Sequence, residues 1–139
     1  MHHASEIRIE PKCSHFTICG GCKWQHMPYA EQTKFKQQQV ADQLERIGKL
    51  DISTMQPIIG ATDEYYYRNK LEFTFSNLAW LTEFSKTESY ADRNMNALGF
   101  HIPGMFDRIL NIDHCYLQAE PSNEIRLAVK KYADEQQLE

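Results

Sequence analysis

The sequence carries no excess of positive charge and no long apolar run. Nineteen acidic residues outnumber fifteen basic ones, for a formal net charge of -4. That balance argues against a free-standing nucleic-acid binder held by its overall field. No apolar stretch approaches the roughly 20 residues of a membrane span. The start, MHHASEIRIE, lacks the basic, apolar and small-residue order of a secretory signal. The expectation is therefore a cytoplasmic protein with no membrane partner. Internal repeats, low-complexity tracts and blocks of like charge are also missing, which leaves out solenoids, flexible linkers and charged tails. No glycine-rich cofactor fingerprint is present. What remains is a chain of 139 residues, enough for one compact domain that buries roughly two-thirds of its unfolded surface.

Cysteine is scarce but unevenly spread. Three of the four cysteines, Cys13, Cys19 and Cys22, lie in CSHFTICGGCKW, and the fourth, Cys115, is far along the chain. In a reducing compartment clustered thiols are metal ligands or redox groups more often than disulfides. A C-x5-C-x2-C run with one remote partner differs from a zinc ribbon, in which two short knuckles supply two ligands each. A cubane iron-sulfur cluster has four irons at the corners of a tetrahedron, so a short loop can wrap three and a distant segment can take the last. Gly20 and Gly21 suit such a loop, letting the backbone curl closely and present amide donors. Iron-sulfur, zinc, and unligated or disulfide-bonded thiols all stay open on spacing alone. His15, His26 and His114 lie near the cysteines, so a mixed Cys/His zinc site is possible by residue type. Four thiolates already complete a site, and the histidines are read as surface or hydrogen-bonding residues.

The order of elements reads loop, helix, strands, helix. Residues 1–28 hold three cysteines, two glycines and two prolines without a sustained period, which predicts an irregular N-terminal cysteine loop. YAEQTKFKQQQVADQLERI, residues 29–47, predicts a helix with Gly48 as its C-terminal cap. Its apolar face is partial. Tyr29, Val40, Leu44 and Ile47 share a side with Thr33, Lys36 and Gln37, so the first half is expected to be solvated or to face a partner. YYYRNKLEFTFSN alternates Leu71, Phe73 and Phe75 against Lys70, Glu72 and Thr74, the clearest strand pattern in the chain. Leu98, Phe100 and Ile102 repeat it after TEFSKTESYADRNMN, a polar stretch that predicts a long hairpin connection or flexible loop. Pro103 and Gly104 predict a turn, and RILNI a third strand ending near Cys115. PSNEIRLAVKKYADEQQ then places Ile125, Ala128, Val129 and Tyr132 on one helical face. The fold class predicted is α+β, an antiparallel sheet flanked by helices, with residues 1–28 as the ligand loop and 29–139 as a central α+β domain to which Cys115 belongs.

CSHFTICGGCKWQH, YYYRNKLEFTFSN, ALGFHIPGMFD and HCYLQAEPSNEIR closely resemble the RNA (uracil-5-)-methyltransferases, particularly those acting on a uridine of 23S ribosomal RNA. The resemblance spans nearly the whole chain. It implies a 4Fe-4S cluster on Cys13, Cys19, Cys22 and Cys115, which match the family's three-plus-one cysteines residue by residue. It also implies an S-adenosylmethionine-binding catalytic domain and an N-terminal RNA-binding barrel outside this chain. The expectation is a central domain that holds no catalytic residue, does not bind S-adenosylmethionine, and partners 23S ribosomal RNA and the catalytic domain of its own parent protein.

A target uracil must be unstacked and turned into a pocket before a thiolate attacks its ring, so positioning RNA is separate work. Tyr67, Arg68, Asn69 and Lys70 are candidates for it, with cations for phosphate beside rings on which unpaired bases stack. Lys23, directly after the third clustered cysteine, is another, while Trp24 is expected to shield the cluster. Lys34, Lys36 and Gln37 to Gln39 form a weaker, solvated candidate face. A zinc-binding module that uses its Gln-rich helix and aromatic strand to bind a protein is the competing reading.

Overall fold

The computed structural model describes residues 5–82 and 93–138. The chain forms two compact units. One comprises Met1–Lys12 and Trp24–Glu64, the other Cys13–Lys23 and Tyr65–Glu139. The three clustered cysteines thus share a unit with Cys115.

In the first unit helix α1 (Tyr29–Asp42) runs into a π-helical turn, Gln43–Ile47. The predicted helix has its full length, with a widened last turn. Gly48 closes it, but at φ -72°, and the left-handed residue is Lys49 at φ 53°. Glycine is required there for closeness rather than for handedness. A Cβ at Gly48 would lie 2.7 Å from the Leu44 carbonyl oxygen, which accepts the Leu50 N–H at 3.0 Å. No residue of α1 is buried, and Val40, Leu44 and Ile47 are exposed. Gln37, which interrupts the apolar stripe, and the hydroxyl of Tyr29 make polar contacts instead. Gln37 Oε1 accepts the Ile58 N–H at 2.8 Å and the Tyr29 hydroxyl accepts the Ala61 N–H at 2.6 Å.

The second unit is built on strands β1 (Thr74–Ser76), β2 (Ala97–Ile102) and β3 (Met105–Asn111), antiparallel and in that order across the sheet. Thr74 lies opposite Gly99, and Phe100 opposite Leu110. Pro103 and Gly104 make the predicted turn, with Gly104 at φ 80°. β1 is shorter than its alternation suggests. Leu71 and Phe73 pack against the core, whereas Phe75 is exposed. The chain ahead of β1 pairs elsewhere, since Tyr66 and Arg68 donate their N–H groups to the carbonyls of Tyr116 and Leu117 at 2.7 and 2.8 Å. Most of the predicted polar connection, residues 83–92, lies outside the described residues. With two helices and a three-stranded antiparallel sheet, the described chain is α+β as expected.

Helix α2 (Ser122–Glu135) corrects the periodicity reading. The expected apolar face is out in solvent, with Ile125 59%, Val129 47% and Tyr132 60% exposed, while Asn123, Arg126 and Ala133 are buried. The cause is what the helix lies against, a bent segment whose backbone groups need polar partners more than they need methyl groups. The core itself gathers Ile102, Leu110, Ile112, Cys115 and Leu117, flanked by Leu71, Phe73, Trp80 and Phe100.

Gly99 sits in the central strand, paired on both sides. A Cβ there would strike the Leu110 carbonyl oxygen and stand 2.8 Å from Ile112 Cγ1. Gly99→Ala is expected to destabilise the protein by about 3 kcal/mol, since backbone rather than a flexible side chain must yield. Chemical denaturation measures it, and a loss below about 0.5 kcal/mol would show that the strands part freely.

Candidate metal centre

The stretch Cys13–Lys23 is a chain of tight turns. Phe16 N–H bonds the Cys13 carbonyl at 3.1 Å, and Ile18 and Cys19 N–H both bond the His15 carbonyl, at 3.2 and 2.9 Å. Thr17 takes the left-handed conformation at φ 78°. The two glycines divide the work. Gly21 donates its N–H to Cys19 Sγ at 3.3 Å. Gly20 seats the loop on the end of β2, where a Cβ would be 2.9 Å from the His101 carbonyl oxygen.

Cys115 comes from the segment that follows β3. It is buried, and Cys19 and Cys22 pack against the same apolar cluster. All four cysteines are free thiols, and every pair among them interacts through charge. Burial pushes the thiols of Cys13, Cys19 and Cys115 up from their ordinary value. Backbone N–H donors work against that shift, and repulsion between thiolates adds to it. Among the described residues, no three His, Cys, Asp or Glu side chains are arranged to hold a metal ion.

The histidines have other employment. His15 Nε2 accepts the Asp113 N–H at 3.0 Å, tying the cysteine turns to the end of β3. His114 packs at a tilt against Tyr116, ring centroids 4.4 Å apart, and its Nε2 lies 3.4 Å from the Tyr66 hydroxyl.

Two residues that residue type alone did not single out complete the centre. Asn123 Oδ1 accepts the Cys115 N–H at 2.8 Å and Asn123 Nδ2 donates to the Cys115 carbonyl at 3.1 Å. Arg126 donates through Nη1 to the Ile112 carbonyl, and through Nη2 to the Asp113 carbonyl at 3.1 Å. Its guanidinium lies over the Phe73 ring, 5.2 Å from the centroid. Burial pulls Arg126 down from its ordinary value, and the nearby charges of Cys115, Asp113 and Glu120 oppose that. The signal that could have found this pair is the polar i, i+3 spacing on α2, opposite its apolar stripe.

The proposed RNA-facing residues are exposed. Tyr67 is 57% exposed, and Lys23, Arg68, Asn69 and Lys70 are also at the surface. Tyr65 and Tyr66 pack around Tyr116, at 6.0 and 6.1 Å between centroids. Tyr66 takes φ 59°, an unusual conformation for a bulky residue. The Asn69 carbonyl accepts Gln118 Nε2 at 3.3 Å, and Lys70 pairs with Glu72 at 2.8 Å. Trp24 belongs to the first unit, where the Lys36 ammonium stands 5.6 Å from its ring centroid. In that unit Lys34 pairs with Glu31 at 3.4 Å, and Gln38 with Asp42 at 3.2 Å.

No protein-family model matches the chain. It is similar to a protein of Bacteroides thetaiotaomicron named as an uncharacterized RNA methyltransferase, 52% identical over 135 residues, covering 97% of this chain and 30% of that protein. A Porphyromonas gingivalis protein of the same name is 53% identical over 131 residues, 92% of this chain and 28% of the relative. One from Chlorobaculum tepidum is 40% identical over 137 residues, 98% and 28% respectively. The chain thus spans about three-tenths of the length of these relatives.

The raised thiols carry a pH consequence. A thiol whose folded value lies above its unfolded one favours the folded state below the unfolded value, and that contribution is lost as pH rises through the folded value. Metal-free protein should therefore lose thermal stability on raising the pH from about 8 to 10. Serine at Cys13, Cys19 and Cys115 together should flatten that slope, and an unchanged slope would mean the thiols do not titrate from buried positions.

Proposed function

We propose that this chain is the iron-sulfur and RNA-positioning part of an S-adenosylmethionine-dependent RNA uracil-5-methyltransferase acting on 23S ribosomal RNA. The observation that carries the reading is the gathering of Cys13, Cys19 and Cys22 with Cys115 in one unit, in a chain similar along nearly all its length to proteins named as RNA methyltransferases. The four thiols interact with one another, and a 4Fe-4S cluster, whose ligands bind separate irons, suits a set split between one short loop and a distant segment. When bound, the cluster would join the cysteine turns to the Cys115 segment as a rigid link. Uracil methylation through a cysteine adduct moves no net electrons, so redox work is not needed from it. Methyl-donor binding and the attacking thiolate belong to the rest of the parent protein, with which this chain would work in the cytoplasm.

RNA contact is assigned to the edge beside the centre. Arg68 springs from a backbone held by Leu117, and Tyr67 offers an exposed ring next to it. The Lys70–Glu72 pair is at the surface and costs little to break, so phosphate can displace the carboxylate. Lys23 adds a cation next to Cys22. A negative total charge is no obstacle when the rest of the protein supplies most of the attraction.

Two measurements test the reading. Anaerobic reconstitution should give iron and acid-labile sulfide in cluster proportion. Stoichiometric zinc, with no uptake of iron and sulfide, would favour the protein-interaction module instead. In the whole protein, Arg68→Ala with Lys70→Ala should weaken RNA binding and lower the salt slope by roughly one to two, about 0.7 to 0.9 per lost phosphate contact. Methyl-donor binding should stay the same. A folded, cluster-loaded double variant with unchanged affinity and slope would place the RNA surface elsewhere.

A further inference from the structure

Asn123 uses its entire hydrogen-bonding capacity within a few ångströms of Cys115. Its Oδ1 accepts from the Cys115 N–H and from Arg126 Nη2 at 3.2 Å, and its Nδ2 donates to the Cys115 carbonyl and to Glu120 Oε1 at 2.7 Å. Glu120 Oε2 also accepts the Asn123 N–H at 3.0 Å, so the carboxylate braces the residue at its backbone as well. The orientation of the amide is dictated. Turned over, its NH2 would face two donors and its oxygen would face a carbonyl and a carboxylate. Asn123 is 4% exposed, so its bonds to Cys115 and Arg126 are not readily replaced by water, while Glu120 reaches it from the surface.

Arg126, also 4% exposed, holds the stretch just ahead of the cysteine. Its two terminal nitrogens reach the carbonyls of Ile112 and Asp113, which are adjacent in the chain. A lysine can place one charge there but cannot span both oxygens with a planar fork. The two residues therefore grip the peptide on either side of His114. Cys115 is the one cysteine outside the turns of Cys13–Lys23, so its position is not set by that loop. A ligand delivered from a distant segment needs its own support, because a bound group is held only as firmly as its least constrained ligand.

We propose that Asn123 and Arg126 are positioning residues for the remote thiol of Cys115, and that the first two turns of α2 govern how firmly an iron-sulfur group is held. The inference rests on the cluster reading. It assigns the buried polar stripe of α2 a task in ligand support, beyond closing the core.

The test compares Asn123→Ala, Asn123→Asp and Arg126→Lys with the unsubstituted protein in the whole chain. Amide exchange is followed in the metal-free form, and iron release to a chelator after anaerobic reconstitution. Asn123→Ala should lower protection of the Cys115 amide and speed iron release, each by about tenfold, the scale of one lost buried hydrogen bond. Asn123→Asp keeps an acceptor for the Cys115 N–H but sets its second oxygen against the Cys115 carbonyl and Glu120, so it should keep only part of that amide's protection and release iron at an intermediate rate. Arg126→Lys should speed release with β2 and β3 still protected, which keeps the question answerable if Asn123→Ala fails to fold. Release rates equal to the parent's, or a uniform loss of protection across β2, β3 and Cys13–Lys23 in every variant, would overturn the inference alone. Failure of the unsubstituted protein to take up iron and sulfide would overturn the cluster reading, and the inference with it.

Discussion

A short run of irregular backbone in the second unit, from Ile112 to Leu117, carries three buried residues, Ile112, Cys115 and Leu117, and its polar groups must be satisfied without a sheet ladder. Each part of that unit contributes. His15 takes the Asp113 N–H, Arg126 binds the carbonyls of Ile112 and Asp113, Asn123 binds both backbone groups of Cys115, and Tyr66 and Arg68 donate to the carbonyls of Tyr116 and Leu117. An unpaired buried amide or carbonyl costs about 1 to 3 kcal/mol. The cysteine turns, the tyrosine run and α2 are therefore brought to one place by a common requirement, and the thiols come together as a consequence.

This arrangement explains why the centre is partly polar inside a small core. Leu110, Ile112 and Leu117 surround Cys115 with apolar groups, which by themselves raise the cost of a thiolate. The guanidinium of Arg126 and the N–H donors at Cys13, Cys19 and Cys115 offset part of that cost. Anionic ligands in such surroundings are best accommodated when a bound cation shares their charge. The same unit presents Tyr67 and Arg68 outward from a backbone pinned to the Cys115 segment, so the RNA surface proposed above would be linked mechanically to the proposed centre.

Several features were legible because they follow from local chemistry. The turn at Pro103 and Gly104, the alternation of Leu98, Phe100 and Ile102, and the helical runs after Pro28 and Pro121 depend on neighbours along the chain. Other readings failed where distant partners decided. Phe75 shares its period with Leu71 and Phe73 yet is exposed, while those two, ahead of the paired strand, pack against the core. Gly48 does cap its helix as expected, though through a local close approach to Leu44, with Lys49 taking the left-handed turn.

The sequence by itself determined the thiol inventory, three cysteines at short spacing and one remote, together with the helix and strand periods and the absence of an apolar span. Those are properties of composition and local spacing. Only the tertiary structure decided that Cys115 shares an apolar cluster with Cys19 and Cys22, and that α2 turns Asn123 and Arg126 inward while Ile125, Val129 and Tyr132 face out. The physical reason is that hydrophobic periodicity names a helix's apolar stripe but says nothing of what lies opposite. Here that neighbour is a bent, buried backbone, and satisfying its hydrogen bonds outweighed burying methyl groups.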